Sequence, residues 1–160
     1  MERLDQIIVH PKYIEYLERI REWEKERIFC HHDTNHFMDV ARIAWILNLE
    51  EELKLNKELL YATALLHDIG RFKQYQDGED HAIVSALLAP KILKDCGFTT
   101  EEIESIVDAI AHHRDKNISK EKSLRGVIYR GDKLSRDCYF CRARTQCDWK
   151  NDKKNLEISY

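Results

Sequence analysis

The sequence predicts an all-α protein, a single-domain bundle of helices. Apolar residues recur at helical spacing in six segments, and no segment alternates apolar and polar residues as a β-strand does. Glycine (5) and proline (2) are scarce, which disfavours a β-rich fold with many tight turns. We therefore expect helices packed around one apolar centre.

The first three predicted helices cover residues 12–29, 34–48 and 57–68. The first is highly charged, with isoleucine and leucine at mostly helical spacing, and the second carries a similar apolar stripe. The third is rich in leucine and alanine. Asn56 is suited to cap its beginning, and Gly70 is expected to end it.

The other three predicted helices cover residues 80–95, 100–113 and 121–136. Gly97 is expected to close the first of these, and Pro90 inside it predicts a kink. Thr99 followed by Glu102 is a capping-box pattern, which predicts where the helix over 100–113 begins.

Length and composition are typical of one globular domain. The chain has 160 residues, of which 43% are hydrophobic and 34% charged, and its net charge of -3 gives no indication of a nucleic-acid partner. We expect a domain over 1–160, with a core from about 30 to 137 and a cysteine-bearing tail over 138–160. Neither a signal-peptide pattern nor an apolar run of about 18 residues is visible, which predicts a cytoplasmic protein without a membrane span.

Several histidines and aspartates interrupt helices that are otherwise apolar. They lie near predicted helix ends or on inward faces, and they are His36, His67, Asp68, His81, His112, His113 and Asp132. Burying so many ionisable groups is costly unless a partner compensates their charge and polarity. Neutral imidazoles and carboxylates are suitable ligands for Fe, Mn, Zn, Co or Ni, so the pattern indicates a divalent transition metal.

Three motifs resemble the HD-domain superfamily of metal-dependent phosphohydrolases. They are "HFMDVARIA" around His36, "ALLHDIGR" around His67 and Asp68, and "YRGDKLSR" around Asp132, and together they span roughly residues 30–137. The resemblance implies that these four residues hold one metal ion and that Asp68 would bridge to a second.

The resemblance also implies a second metal ion, because two further histidines match the two-metal branches. His81 in "DHAIVSA" matches the first of them, and the pattern Ala-Ile-x-x-His selects His113 for the second. His112 is the weaker candidate for that position. Two ions a short distance apart can clamp the attacking and leaving oxygens of a phosphoester, and a bound ion lowers the pKa of water.

Arg71, three residues after Asp68, is the candidate cation for the phosphoryl charge. The family more often has lysine there, and arginine can bind phosphate bidentately where lysine acts as a point charge. The alternative is that Arg71 only stabilises a helix C-terminus. Asp68 and Arg71 are therefore the predicted catalytic residues.

His31, His32 and Asp33 lie close to His36 in sequence but outside the motif. We expect them to be surface residues, a helix cap at Asp33, or residues that support the metal ligands from behind. Asp39 could also orient a ligating histidine.

The cysteines form a second pattern. Cys138, Cys141 and Cys147 follow a C-x2-C-x5-C spacing, and Cys30 is the candidate fourth ligand. Two thiolates two residues apart are typical of a metal knuckle. The hypothesis is a structural zinc ion or an iron–sulfur cluster that holds the tail to the body, and the alternative is reduced thiols in a loop.

The sequence thus predicts a metal-dependent phosphohydrolase that acts on a nucleotide or a similar small phosphate, by hydrolysis of a phosphoester or phosphoanhydride. The alternatives are a non-catalytic module that senses a nucleotide and, with less support, a di-iron oxygenase. The exact substrate, the identity of the metal and the oligomeric state do not follow from the sequence.

Overall fold

The computed structural model describes residues 1–160 and contains eight α-helices and two short 3-10 turns. The helices are α1 (Glu2–Ile8), α2 (Pro11–Glu24), α3 (Thr34–Glu50), α4 (Lys57–Leu66), α5 (Arg71–Asp77), α6 (His81–Asp95), α7 (Thr100–His112) and α8 (Leu124–Leu134). The 3-10 turns are Lys116–Ile118 and Asn151–Lys153. With no strand present, the all-α prediction is confirmed.

Side-chain caps fix the start of the helices that lead to the polar residues. Asp33 accepts hydrogen bonds from the backbone N–H groups of Asn35 and His36 at 2.9 and 3.0 Å. Asn56 caps α4 as predicted, and Thr99 forms the predicted capping box with Glu102 at the start of α7. Each cap satisfies N–H groups that the helix itself leaves without a partner.

Some predicted boundaries were wrong. The helix predicted over 12–29 ends at Glu24, and Ile28, beyond its end, is 58% exposed. The helix predicted over 57–68 ends at Leu66, and Gly70 lies at the start of α5 rather than at the end of α4. The helix predicted over 121–136 is shorter at both ends, and α1 and α5 were not predicted.

Two neighbouring apolar clusters form the core. One is built mainly from α1, α4, α6 and α7, with Phe37, Leu66 and Ile110 among its members. The other lies between α3, α4 and α8 and includes Val40 and Val127. Helix α4 contributes to both clusters, so its C-terminal end emerges between them.

Two glycines permit close approach of the helices that carry polar residues. A Cβ on Gly131 would lie 3.0 Å from the carbonyl oxygen of Val40, so the glycine lets α8 pack tightly on α3. Gly70 contacts the first turns of α6 in the same way, and its N–H donates to Ser85 Oγ at 2.9 Å. None of the helices combines the length and apolar character needed to cross a bilayer.

Candidate metal centre

The chain turns sharply where α4 ends, and this turn presents His67 and Asp68 in the interior. Both residues are buried, with 0% and 3% of their surface exposed. His36 comes from the first turn of α3 and His81 from the first residue of α6. His113 caps the end of α7, and Asp132 lies in the last turn of α8. Helix ends therefore converge on one point.

These residues form two groups of metal-ligand atoms. In the first, the ligand atoms of His36, His67 and Asp132 lie within 4.8 Å of one another, with 3.6 Å between His36 Nε2 and Asp132 Oδ1. The second joins Asp68, His81 and His113 under the same limit. Each group has the size and the donor types that a divalent transition metal requires.

Asp68 lies between the two groups, with one carboxylate oxygen toward each. Its Oδ1 is 3.0 Å from His81 Nε2 and 3.3 Å from His113 Nε2. Its Oδ2 is 3.5 Å from His67 Nε2. A carboxylate in this position can bind one ion through each oxygen.

In His67 and His113, a hydrogen bond on the side of the ring away from the centre determines which ring nitrogen carries the proton. His67 Nδ1 lies 2.7 Å from the carbonyl oxygen of Ala64, and His113 Nδ1 lies 2.7 Å from that of Ile110. A carbonyl can only accept, so in the neutral rings both Nε2 atoms carry lone pairs that face the centre.

Three buried atoms at the centre lack a hydrogen-bond partner, namely His36 Nε2, His67 Nε2 and Asp68 Oδ1. Buried acceptors without a donor are costly, and lone pairs that face one another repel. A cation in the first group would satisfy His36 Nε2 and His67 Nε2, and one in the second group would satisfy Asp68 Oδ1, so the donor set fits metal.

Burial sets the protonation of the ligands. It lowers the pKa of His36 to about 4 and also lowers the pKa of His67 and His81. Burial alone would raise the pKa of Asp68, but the neighbouring His67 and His81 outweigh it and hold that pKa well below its ordinary value. At neutral pH these three imidazoles are neutral and the Asp68 carboxylate is ionised, which are the forms that bind metal.

His112 belongs to neither group. Its side chain is 41% exposed, and its Nδ1 lies 2.8 Å from the carbonyl oxygen of Asp108 within its own helix. Adjacent residues of a helix point about 100° apart, so only one of the two neighbouring histidines can face the centre. That residue is His113.

Arg71 lies beside the second group. Its Nη1 is 2.9 Å from His81 Nδ1 and 3.0 Å from Gln74 Oε1. Burial lowers its pKa, but Asp68, Tyr75 and Glu24 outweigh that effect and the pKa is raised. Arg71 therefore stays cationic at the edge of the centre.

A cleft of about 830 Å³ opens onto the centre and is rich in cations. Lys133 is paired with Asp132, and Arg136 Nη2 lies 3.9 Å from Asp132 Oδ2. The cationic side chains along its wall are Arg27, Arg42, Arg71, Arg114, Lys133, Arg136 and Lys154. Six aspartates line the same cleft, Asp68 and Asp132 among them, so the wall would suit an anionic ligand once metal ions offset the charge of the centre.

Two residues beside the centre were not recognised from the sequence. His32, which was expected on the surface or behind the ligands, has its Nε2 3.8 Å from Asp68 Oδ2, and its Nδ1 is hydrogen-bonded to Glu24. Glu24 was interpreted as part of a charged helix, and it is only 2% exposed. No local pattern distinguishes it from the other glutamates of that segment.

Three of the four cysteines of the predicted site line the same cleft. Cys30, Cys138 and Cys147 line it, and Cys141 follows Cys138 in a turn closed by a backbone hydrogen bond of 3.3 Å. None of the cysteines is in a disulfide. Burial raises the pKa of the Cys30 thiol, and the neighbouring Cys138 and Cys141 also raise it, so these sulfur atoms lie near one another. The cysteine site stays a prediction.

The sequence is similar to one protein family and to several known proteins. The sequence model of the family described as HD domain matches residues 34–137. A protein of Clostridium beijerinckii, whose name states no function, is 46% identical over 160 residues and covers both chains completely. A ribonuclease Y of Borrelia garinii subsp. bavariensis is 33% identical over 130 residues, which are 79% of this chain but only 23% of that relative.

A solved structure shares the fold. The crystal structure of a predicted HD superfamily hydrolase from an uncultured Thermotogales bacterium is 26% identical, with a TM-score of 0.62. The match covers 89% of this chain and 81% of the other.

Proposed function

The chain belongs to the HD domain family, and from this we propose that it is a metal-dependent phosphohydrolase that cleaves a phosphoester or phosphoanhydride of a nucleotide or similar small phosphate. The observation that carries the proposal is the position of Asp68. It lies between two groups of buried imidazoles and carboxylates, and three of their ligand atoms have no hydrogen-bond partner.

The ligands would divide between two ions. His36, His67 and Asp132 would hold one, His81 and His113 the other, and Asp68 would bind both. The donor set of nitrogen and carboxylate oxygen suits Fe, Mn, Ni, Co or Zn. Ions bound there would lower the pKa of water and neutralise charge on a phosphoryl group.

The chain's own cations would bind the substrate. Arg71 is held at the edge of the centre by Gln74 and by Tyr75, so its remaining N–H groups are oriented with little loss of side-chain entropy. Lys133 and Arg136, on the other side of the centre, would balance the charge of Asp132 and of a phosphate in the cleft. Cations on both sides of the centre support a small anionic substrate.

The relatives support the nucleotide part of the proposal. The name ribonuclease Y describes an enzyme that cleaves RNA, in which phosphodiesters join nucleotides. This chain spans less than a quarter of the length of the Borrelia relative. The substrate of that larger protein therefore guides the choice of compounds to test and no more.

A metal measurement combined with a substrate panel tests the proposal. Protein purified without added metal should contain transition metal by mass spectrometry. It should hydrolyse members of a panel of nucleotides, dinucleotides and aryl phosphates, and EDTA should abolish that activity. Replacing His113 with asparagine should remove about one ion per chain, whereas His112→Asn, the matched control on the exposed side of the same turn, should leave metal and activity unchanged.

Other results would contradict the proposal or favour a different function. Fully metal-loaded protein that hydrolyses no compound of the panel contradicts the proposal, and nucleotide-dependent thermal stabilisation without turnover would favour the sensing module. Oxygen uptake with a carbon substrate would favour the di-iron oxygenase.

A further inference from the structure

Glu24, the last residue of α2, is a buried carboxylate with three hydrogen-bond partners. It accepts from the backbone N–H of His32 at 2.7 Å and from the Tyr75 hydroxyl at 2.6 Å, and its third partner is His32 Nδ1. Imidazole is more basic than a carboxylate, so the proton between these two side chains lies on Nδ1. Two hydrogen bonds from one residue to the same carboxylate fix the orientation of the His32 ring.

The opposite nitrogen of His32 faces the metal centre. Because Nδ1 carries the proton, Nε2 of the neutral ring has a lone pair. This Nε2 lies 3.8 Å from Asp68 Oδ2, and only 13% of the side chain is exposed. The ring meets that of His36 edge to face, with 5.6 Å between centroids. Two acceptor atoms that face each other at this distance are stabilised by a cation between them.

His32 is arranged as two of the candidate metal ligands are. In His67 and His113, Nδ1 lies 2.7 Å from a backbone carbonyl oxygen on the outer side, and Nε2 faces the centre. In His32 the carboxylate of Glu24 takes the place of that carbonyl group. Histidines that bind metal almost always donate their other N–H to a carboxylate or a carbonyl oxygen.

The distance between His32 and Asp68 allows both to bind one ion. Bonds from a transition metal to nitrogen and oxygen are about 2.0–2.2 Å long, so two ligand atoms of one ion lie at most about 4.3 Å apart. The 3.8 Å between His32 Nε2 and Asp68 Oδ2 is within this limit. The same Oδ2 is 3.5 Å from His67 Nε2, so the shared ion would be that of the first group.

From this geometry we propose that His32 is a further ligand of the ion of the first group, and that Glu24 is its positioning residue. The inference rests on the metal centre of the proposed function. Glu24 would keep the proton on Nδ1 and the lone pair on Nε2, and its negative charge would make the ring a stronger ligand.

This ligand would make the two halves of the centre unequal. The first group has three ligands, to which Asp68 Oδ2 and His32 would be added, whereas the second group has only Asp68, His81 and His113. A catalytic ion keeps a position open for water or substrate. The ion of the second group, beside Arg71, would therefore be the one that contacts the phosphoryl group. The ion of the first group would be held more tightly.

Metal titration in a variant with one ion tests the role of His32. His113→Asn, which should keep only the ion of the first group, is freed of metal and titrated with Co²⁺ against a chromogenic chelator. Adding His32→Asn or Glu24→Gln to it should weaken Co²⁺ binding by about 10–100-fold. Loss of His32 should also change the visible absorption of the bound Co²⁺, which depends on the number and type of its ligands. In the otherwise wild-type chain, His32→Asn should weaken the tighter of the two sites.

A neighbouring histidine provides the matched control. His31→Asn, whose side chain is 47% exposed, should leave Co²⁺ affinity and absorption unchanged. Unchanged affinity in both His32→Asn proteins would overturn the ligand role. Weaker binding with unchanged absorption would also overturn it, because His32 would then only support the site. These titrations contain no substrate, so wild-type protein that binds metal but cleaves no phosphate compound would contradict the proposed hydrolysis alone.

Discussion

Replacing Gly70 with alanine is expected to destabilise the fold and to disturb one half of the metal centre. A Cβ at this position would lie 2.6 Å from the backbone nitrogen of Ser85, 2.8 Å from Val84 Cβ and 2.9 Å from the carbonyl oxygen of His81. Ordinary contact begins at 3.4 Å, so the start of α6 must move by about 0.8 Å. Two of the three atoms belong to backbone and cannot rotate away.

The cost can be estimated from these contacts. Overpacking of this kind costs about 1–3 kcal/mol, and weakening the hydrogen bond from Gly70 N–H to Ser85 Oγ costs about 1 kcal/mol more. Alanine also lowers the conformational entropy of the unfolded chain, and this stabilises the fold by about 0.4–1 kcal/mol. We therefore expect the free energy of unfolding to fall by about 1–3.5 kcal/mol.

The displacement also reaches the metal centre. His81 is the first residue of α6, and its Nε2 lies 3.0 Å from Asp68 Oδ1. Metal–ligand distances tolerate changes of only about 0.2 Å. The variant should therefore bind the ion of the second group more weakly, and the ion held by His36, His67 and Asp132 should be less affected.

Urea unfolding and metal titration measure the two effects, and Gly78→Ala is the matched control. Gly78 has a φ of +77°, and a Cβ added there would meet no atom within 4 Å, so alanine costs about 1–2 kcal/mol through the backbone alone. That control should bind metal as the wild type does. A Gly70→Ala variant with unchanged stability and unchanged metal affinity would refute the steric reasoning.

Two further predictions concern the N-terminal helix and the tail. The pKa of Glu102 is lowered from 4.5, chiefly by its hydrogen bond from Arg3, so this pair stabilises the fold above pH 4.5 and the contribution is lost as the pH falls through the folded-state value. Arg3→Met, which also removes the hydrogen bonds to Glu58, should thus cost about 1 kcal/mol at neutral pH and progressively less as the pH falls below 4.5. Urea unfolding that shows the same cost at neutral and acid pH would contradict this. The cysteine site stays a prediction. Cys138→Ser combined with Cys141→Ser should remove about one zinc or iron from each chain, whereas the control Cys96→Ser should not. Unchanged metal content in the double variant would contradict the hypothesis.

The residues that the structure brings together at the centre could be predicted because their signals are local. Each lies in a short motif that resembles the HD-domain family, and that resemblance implied its role as a ligand. The family's Ala-Ile-x-x-His pattern, here Ala109 and Ile110, selected His113 over His112, and the structure buries the first and exposes the second.

The short helices α1 and α5 could not be predicted in the same way. Each has seven residues, too few to show a repeating apolar stripe, and an isolated helix of this length is unstable in water. Packing against other elements stabilises both, as with Phe72 of α5, which stacks on Tyr16 of α2. The information that specifies them is therefore spread over distant parts of the chain.

The burial of Glu24, beside the metal centre, could not be predicted from the sequence for the same reason. In the sequence it is one of several acidic residues in a charged helix, and burial of one of them depends on where the loop after α2 places His32 and where α5 places Tyr75. Since α5 begins directly after the turn that carries His67 and Asp68, the helix that escaped prediction is also what connects Glu24 to Arg71. The motifs indicated the metal ligands and Arg71, whereas the contacts of Glu24 and Tyr75 beside them emerge only from the fold.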